Sequence, residues 1–120
     1  MEMKQYLLPE QGCFYKANLH CHSVCSDGSK TPEELKKFYK AHGYSIIAYT
    51  DHDVFFPHHE LTDDDFLALA GFEMEFNEPY AVRDRLTAHL CFIAGSPEME
   101  IQPCWNEKYA EPKHGGISIW

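Results

Sequence analysis

The chain is poor in basic residues. Its 120 residues include 10 Lys and Arg against 19 Asp and Glu, a formal net charge of −9. That balance argues against a cationic surface for nucleic acid, although bound cations could still draw an anionic substrate locally. No apolar run reaches the roughly 20 residues of a membrane helix. No hydrophobic signal segment follows Met1-Glu2-Met3-Lys4-Gln5, so a cytoplasmic protein is expected. C-x-x-C pairs are missing too. The five cysteines, Cys13, Cys21, Cys25, Cys91 and Cys104, are odd in number, which argues against a disulfide framework. Cys21 and Cys25, four apart beside histidines, leave only a weak case for a structural zinc module. There is no internal repeat or low-complexity linker. What is present is 44% hydrophobic and 14% aromatic residues, enough for one folded domain with a modest core. Eight histidines also stand out, and their positions carry more information than their number.

Local signals set out an α/β order. Residues 1–12 form a polar lead-in, and Phe14 to Leu19 is a short first strand ending at His20. Thr31-Pro32-Glu33-Glu34 has the pattern of a capping box with proline at the first helical position. Leu35, Phe38, Tyr39 and His42 then follow at helical spacing to a C-terminal Gly43. Ser45 to Tyr49 is apolar and short, as in a strand buried on both faces. Residues 54–66 read as a loop with a helical turn at Thr62 to Phe66. Further strands are expected at Phe66 to Phe72 and Leu86 to Ala94, and residues 96–120 as an irregular tail. Strand–helix–strand with a buried second strand implies a parallel sheet. The polar clusters fall after strand ends, where barrel-type α/β folds build active sites.

Five clusters carry chemistry. His20-Cys21-His22 puts two imidazoles on one side of an extended segment. Asp27-Gly28 offers a carboxylate in a turn. Thr50-Asp51-His52-Asp53 places costly polar groups at the end of a buried strand, a cost that metal coordination would offset. There Asp51 is placed to orient a histidine. Glu73 closes the next apolar run, with Glu75 on the same face if the strand continues. His89 lies inside the last one. Each piece alone is ordinary: a turn, a strand end, a core histidine. Their ordered recurrence is not, and oxygen and imidazole ligands without thiolates suit zinc, manganese or iron. His58, His59, His42 and His114 match no motif; His42 reads as a helix end and the others as surface.

As a spaced set, N-L-H-C-H at 18–22, S-D-G at 26–28, T-P-E-E-L at 31–35, Y-T-D-H-D at 49–53, G-F-E at 71–73 and A-H-L at 88–90 resembles the polymerase-and-histidinol-phosphatase (PHP) family. The resemblance spans residues 14–95 of what would be a single domain, 1–120. It implies a partial distorted (β/α)7 TIM-like barrel with two or three divalent metal ions. His20 and His22 would bind one metal, and Glu73 would bridge it to a second, bound also by His89. Asp27 and His52 would hold a third, with Asp51 behind the ligands. The implied activity is hydrolysis of a phosphate ester by a metal-activated hydroxide, with no protein nucleophile. A phosphorylated small molecule or nucleotide fits the acidic composition better than nucleic acid. Relatives are longer, and a later histidine and a late Asp-x-His pair complete their metal shells. Residues after 95 do not supply these, so the chain is expected to be an N-terminal portion with weak metal retention and an open sheet edge. That edge suggests a homodimer. The competing expectation is a non-catalytic metal-binding or assembly module.

Overall fold

The computed structural model describes residues 11–77 and 87–99. The start of the polar lead-in, Leu86, Cys104, His114 and the tail beyond Met99 lie outside the described residues. Among the described residues the fold is mixed α/β, a four-stranded sheet curled into a half-barrel with one α-helix. The strands run in the order β1 (Ala17–Asn18), β2 (Ile46–His52), β3 (Leu67–Asn77) and β4 (Thr87–Ile93).

Helix α1 (Pro32–Ala41) starts as its sequence dictates. The Thr31 side chain accepts from Glu34 N at 3.2 Å, and the Glu34 carboxylate accepts from Thr31 N at 2.9 Å. Its end is a Schellman motif: Gly43 sits at φ 78°, Gly43 N donates to Lys40 O, and Tyr44 N donates to Tyr39 O. The buried stripe is Pro32, Leu35 and Tyr39. Phe38 and His42, expected on that stripe, are exposed; they stack on one another at 4.4 Å, and His42 Nδ1 donates to Phe38 O. The helix is rotated so that Tyr39 joins the core.

The first strand is shorter than the Phe14 to Leu19 run, and Phe14 is almost fully exposed. The second is longer than its apolar segment. It continues through Thr50, Asp51 and His52, because β3 pairs with it in parallel as far as His52 opposite Glu73. The residues between them hold one tight turn of 3-10 helix at His59–Leu61, earlier than the turn expected at Thr62 to Phe66, which instead folds back through an Asp63–Phe66 bridge. β4 departs from a purely parallel sheet and pairs with β3 antiparallel. The reason is length: residues 78–86 are fewer than the dozen or so that a parallel crossover needs.

Alternation along the strands divides the sheet into two faces. Ile47, Tyr49, Ala68 and Cys21 pack with Leu35, Leu61 and Phe66, and Phe55, Ala70 and Phe72 form a second cluster. Full burial of side chains such as Ile47 and Tyr49 contributes roughly 1.5–3 kcal/mol each. Thr50, His52, Glu73 and Glu75 project to the opposite face.

Candidate metal centre

Glu73 lies in the middle of β3, buried, at the meeting point of four histidines. Its Oε1 is 3.6 Å from His20 Nε2 and 3.1 Å from His89 Nδ1. Its Oε2 is 3.1 Å from both His22 Nε2 and His52 Nδ1. The rings follow one another around the carboxylate, with centroids 4.8 Å apart for His20–His22, 5.9 Å for His22–His52 and 5.2 Å for His52–His89. Sheet register explains the convergence: His52 is the parallel partner of Glu73, while Cys91 and His89 oppose Glu73 and Glu75 across the antiparallel pair. His20 and His22 arrive from the segment after β1, where Cys21 N is held by Thr50 Oγ1 and Cys21 O by Thr50 N. Cys21 turns its side chain into the core under α1, away from its two neighbours.

Three overlapping groups have ligand atoms within 4.8 Å of one another: His20–His22–Glu73, His22–Asp27–His52 and His52–Glu73–His89. All six of the residues expected as metal ligands therefore meet in one place. His20, His22 and Asp27 lie in the segment after β1, as expected, and His52 is the last residue of β2, whereas Glu73 and His89 lie within β3 and β4 rather than after strand ends.

The histidines are oriented from behind. His22 Nδ1 donates to Asp27 Oδ1 at 2.6 Å, which leaves Nε2 directed at Glu73. That Nε2 is buried, and although 3.1 Å from the carboxylate it makes no hydrogen bond. A buried ring nitrogen with a free lone pair, facing a carboxylate and more imidazoles, suits a divalent cation of the zinc, manganese or iron type. His20 Nδ1 is hydrogen-bonded to Thr50 Oγ1 at 2.8 Å, with Cys91 Sγ at 3.2 Å. His52 Nε2 has Glu75 at 3.4 Å and Asp53 at 3.5 Å.

Charges follow the same geometry. Burial alone raises the Glu73 carboxyl, but the His89 hydrogen bond and the charges of His20 and His22 outweigh it and hold it below its ordinary value. Asp27 is likewise held low, its partial burial overcome by the hydrogen bond and charge of His22. The Cys91 thiol goes the other way, pushed up by burial and by Glu73.

Asp51 does not orient a histidine of this cluster directly. As the neighbour of His52 on a strand, it faces the other side of the sheet. There it accepts from Ser23 N at 2.7 Å, from Ser23 Oγ at 3.0 Å and from Ser26 Oγ at 2.9 Å. Its influence passes through those serines: Ser26 Oγ in turn accepts from His52 N at 3.0 Å, and the loop they pin carries His22 and Asp27. Gly28 closes this loop, since a Cβ there would sit 2.3 Å from His22 O. Asp53 ends β2 in the left-handed region at φ 56°. Its N donates to Glu73 O at 2.6 Å, and its Oδ1 accepts from Glu75 N at 3.0 Å.

Thr50 and Ser26 stand inside the quoted motifs but were given no role there, and Ser23 and Cys91 lie outside them. Strand alternation from His52 finds Thr50, but Cys91 needs the β3–β4 register. His58 and His59 are half-buried, not surface residues, and the Nε2 of each is buried without a hydrogen-bond partner.

Comparisons of the chain with protein-family models, with curated proteins and with solved structures find no match.

Proposed function

We propose that this chain is a metal-dependent phosphoesterase of the PHP type, its sheet being part of a distorted (β/α)7 TIM-like barrel. One observation carries the reading: four histidines surround a single buried glutamate and share it between overlapping ligand groups. His20, His22, Asp27, His52, Glu73 and His89 are the residues that would hold zinc, manganese or iron. When bound, such cations supply Lewis-acid charge to a phosphate ester and activate water at neutral pH.

The protein's own part is positional. Glu73 ties the two sides of the cluster together, Asp27 sets the ring orientation of His22, and Thr50 holds His20. With an acidic chain and no basic tract, the substrate is a phosphorylated small molecule or nucleotide, reached through the cations rather than through arginine or lysine. A second copy is the proposed partner, because Leu90 and Phe92 on the outer strand β4 are 51% and 42% exposed. Sedimentation at micromolar concentration should give a dimer, and a clean 13.9 kDa monomer removes that partner.

The alternative, a metal-binding module without catalysis, is favoured by the openness of the cluster on the side of His20 and His89, whose side chains are 49% and 42% exposed. Metal analysis combined with hydrolysis of a chromogenic phosphomonoester separates the two. The expected result is phosphate release that requires added zinc or manganese and is lost in Glu73→Gln. Metal retention without hydrolysis of phosphomonoesters or phosphodiesters selects the alternative. Absence of metal binding overturns both.

A further inference from the structure

A second group of ligand atoms lies on the other face of the sheet. Cys25 Sγ, a carboxylate oxygen of Asp51 and a ring nitrogen of His58 lie within 4.8 Å of one another. None of the three belongs to the six residues around Glu73, and the alternation of β2 turns Asp51 away from His52.

His58 is prepared as a ligand. Its side chain is only 12% exposed, packed edge-on against the Tyr49 ring at 5.1 Å. Its Nδ1 lies 3.5 Å from Glu60 Oε1, a contact that favours a proton on Nδ1 and leaves the lone pair on Nε2. That Nε2 is buried and makes no hydrogen bond. A buried imidazole acceptor without a donor is destabilising, and a coordinated cation removes that cost. Asp51 has room for one: Oδ1 takes the donors Ser23 N and Ser26 Oγ, whereas among the described residues Oδ2 faces the Ser23 hydroxyl alone, which lies 3.0 Å from both oxygens. Cys25 is a free thiol whose backbone N is fixed by Ser23 Oγ.

We propose that Cys25, Asp51 and His58 form a separate zinc site. One thiolate, one imidazole and one carboxylate are a zinc donor set, and three protein ligands leave a fourth position for water or a further group. The ion would join three separate segments: the loop after β1, the buried strand β2 and the crossover that leads to β3. Its role is that of a staple. It holds the loop that carries His22 and Asp27 without contributing to the cluster around Glu73.

Cobalt substitution tests this, because a thiolate ligand gives a near-ultraviolet sulfur-to-cobalt charge-transfer band that imidazole and carboxylate do not. The full chain carrying Cys91→Ser is titrated with Co²⁺, which removes the thiol beside His20 from consideration. The band is expected in this background, is expected to persist when Glu73→Gln is added, and is expected to vanish when Cys25→Ser is added. Absence of the band in the Cys91→Ser chain, or its survival in Cys25→Ser, overturns the site. Should Cys25→Ser fail to fold by circular dichroism, alkylation of the unmodified chain decides. Zinc should slow iodoacetamide modification of Cys25 about tenfold when present at about ten times its Kd, because the free fraction falls in proportion. Exposed Cys13 should be unaffected. Equal rates at Cys25 with and without zinc overturn the proposal.

Discussion

His22 and His52 stand on one flank of Glu73, and His20 and His89 on the other. The four offer the same chemical group in different degrees of enclosure. The first pair has side chains 21% and 11% exposed, the second 49% and 42%. Behind the first pair is a continuous scaffold: Asp27 on the His22 ring, Ser26 on the His52 backbone, and Asp51 tying Ser23 and Ser26 to β2. His20 has the Thr50 hydroxyl and the exposed Cys91 thiol behind it, and His89 rides on the outer strand, whose neighbours Leu90 and Phe92 are themselves exposed. One flank is organised by the fold itself, whereas the other is held by fewer contacts. A preorganised ligand loses less freedom on binding, so the enclosed flank should dominate affinity.

Removing the shared carboxylate tests whether the flanks form one centre. Glu73→Gln should weaken metal retention by roughly 10–100-fold or more on both flanks together, read by metal analysis after dialysis. Retention close to that of the unmodified chain would mean that the flanks act independently. Asp51→Ala, made without added metal, attacks the serine scaffold and not the residues around Glu73. It strands the buried donors of Ser23 and the hydroxyl of Ser26, and should cost about 3 kcal/mol in urea denaturation. A loss under about 1 kcal/mol would show that the serines find water instead. The contrast itself is measured by two truncations. His52→Ala should reduce metal affinity about tenfold more than His89→Ala, a difference of about 1.4 kcal/mol. Equal losses in calorimetric titration would abolish the distinction between flanks. Thr31→Ala is the smallest change, about 1 kcal/mol of stability through loss of the helix cap. It should leave metal content unchanged, and a change there would mean that α1 controls the centre.

Much of this was legible in the chain. The Thr31–Glu34 cap, the Gly43 stop and the apolar run of β2 are short-range signals, each set by residues within a few positions. The histidine–carboxylate cluster was legible as a spaced set because its members follow or sit on successive strands, which the sheet brings side by side. What could not be read depends on distant partners. Without the β2–β3 ladder, nothing in Thr50-Asp51-His52 says that the strand continues through it. Asp51 was cast beside the histidines because it is their neighbour in sequence, although a strand sends such neighbours to opposite faces. The reversed direction of β4 follows from a connection length rather than from any residue in it. His58 looked like one of several scattered histidines because its burial comes from Tyr49, which lies in β2.

Asp53 bears on how substitutions at this edge of the sheet should be ranked. At φ 56° it is held by backbone shape, while its side chain and N–H fasten the two β3 residues that face the cluster. A saturation scan at position 53 would order residues by conformation first and charge second. Asn, which shares the shape and an acceptor oxygen, should stand nearest to Asp. Gly would follow, at ease in the backbone but without the acceptor. Val and Ile, whose branched carbons resist the left-handed region by about 1–2 kcal/mol or more, would come last. At position 53 the bend outranks the carboxylate.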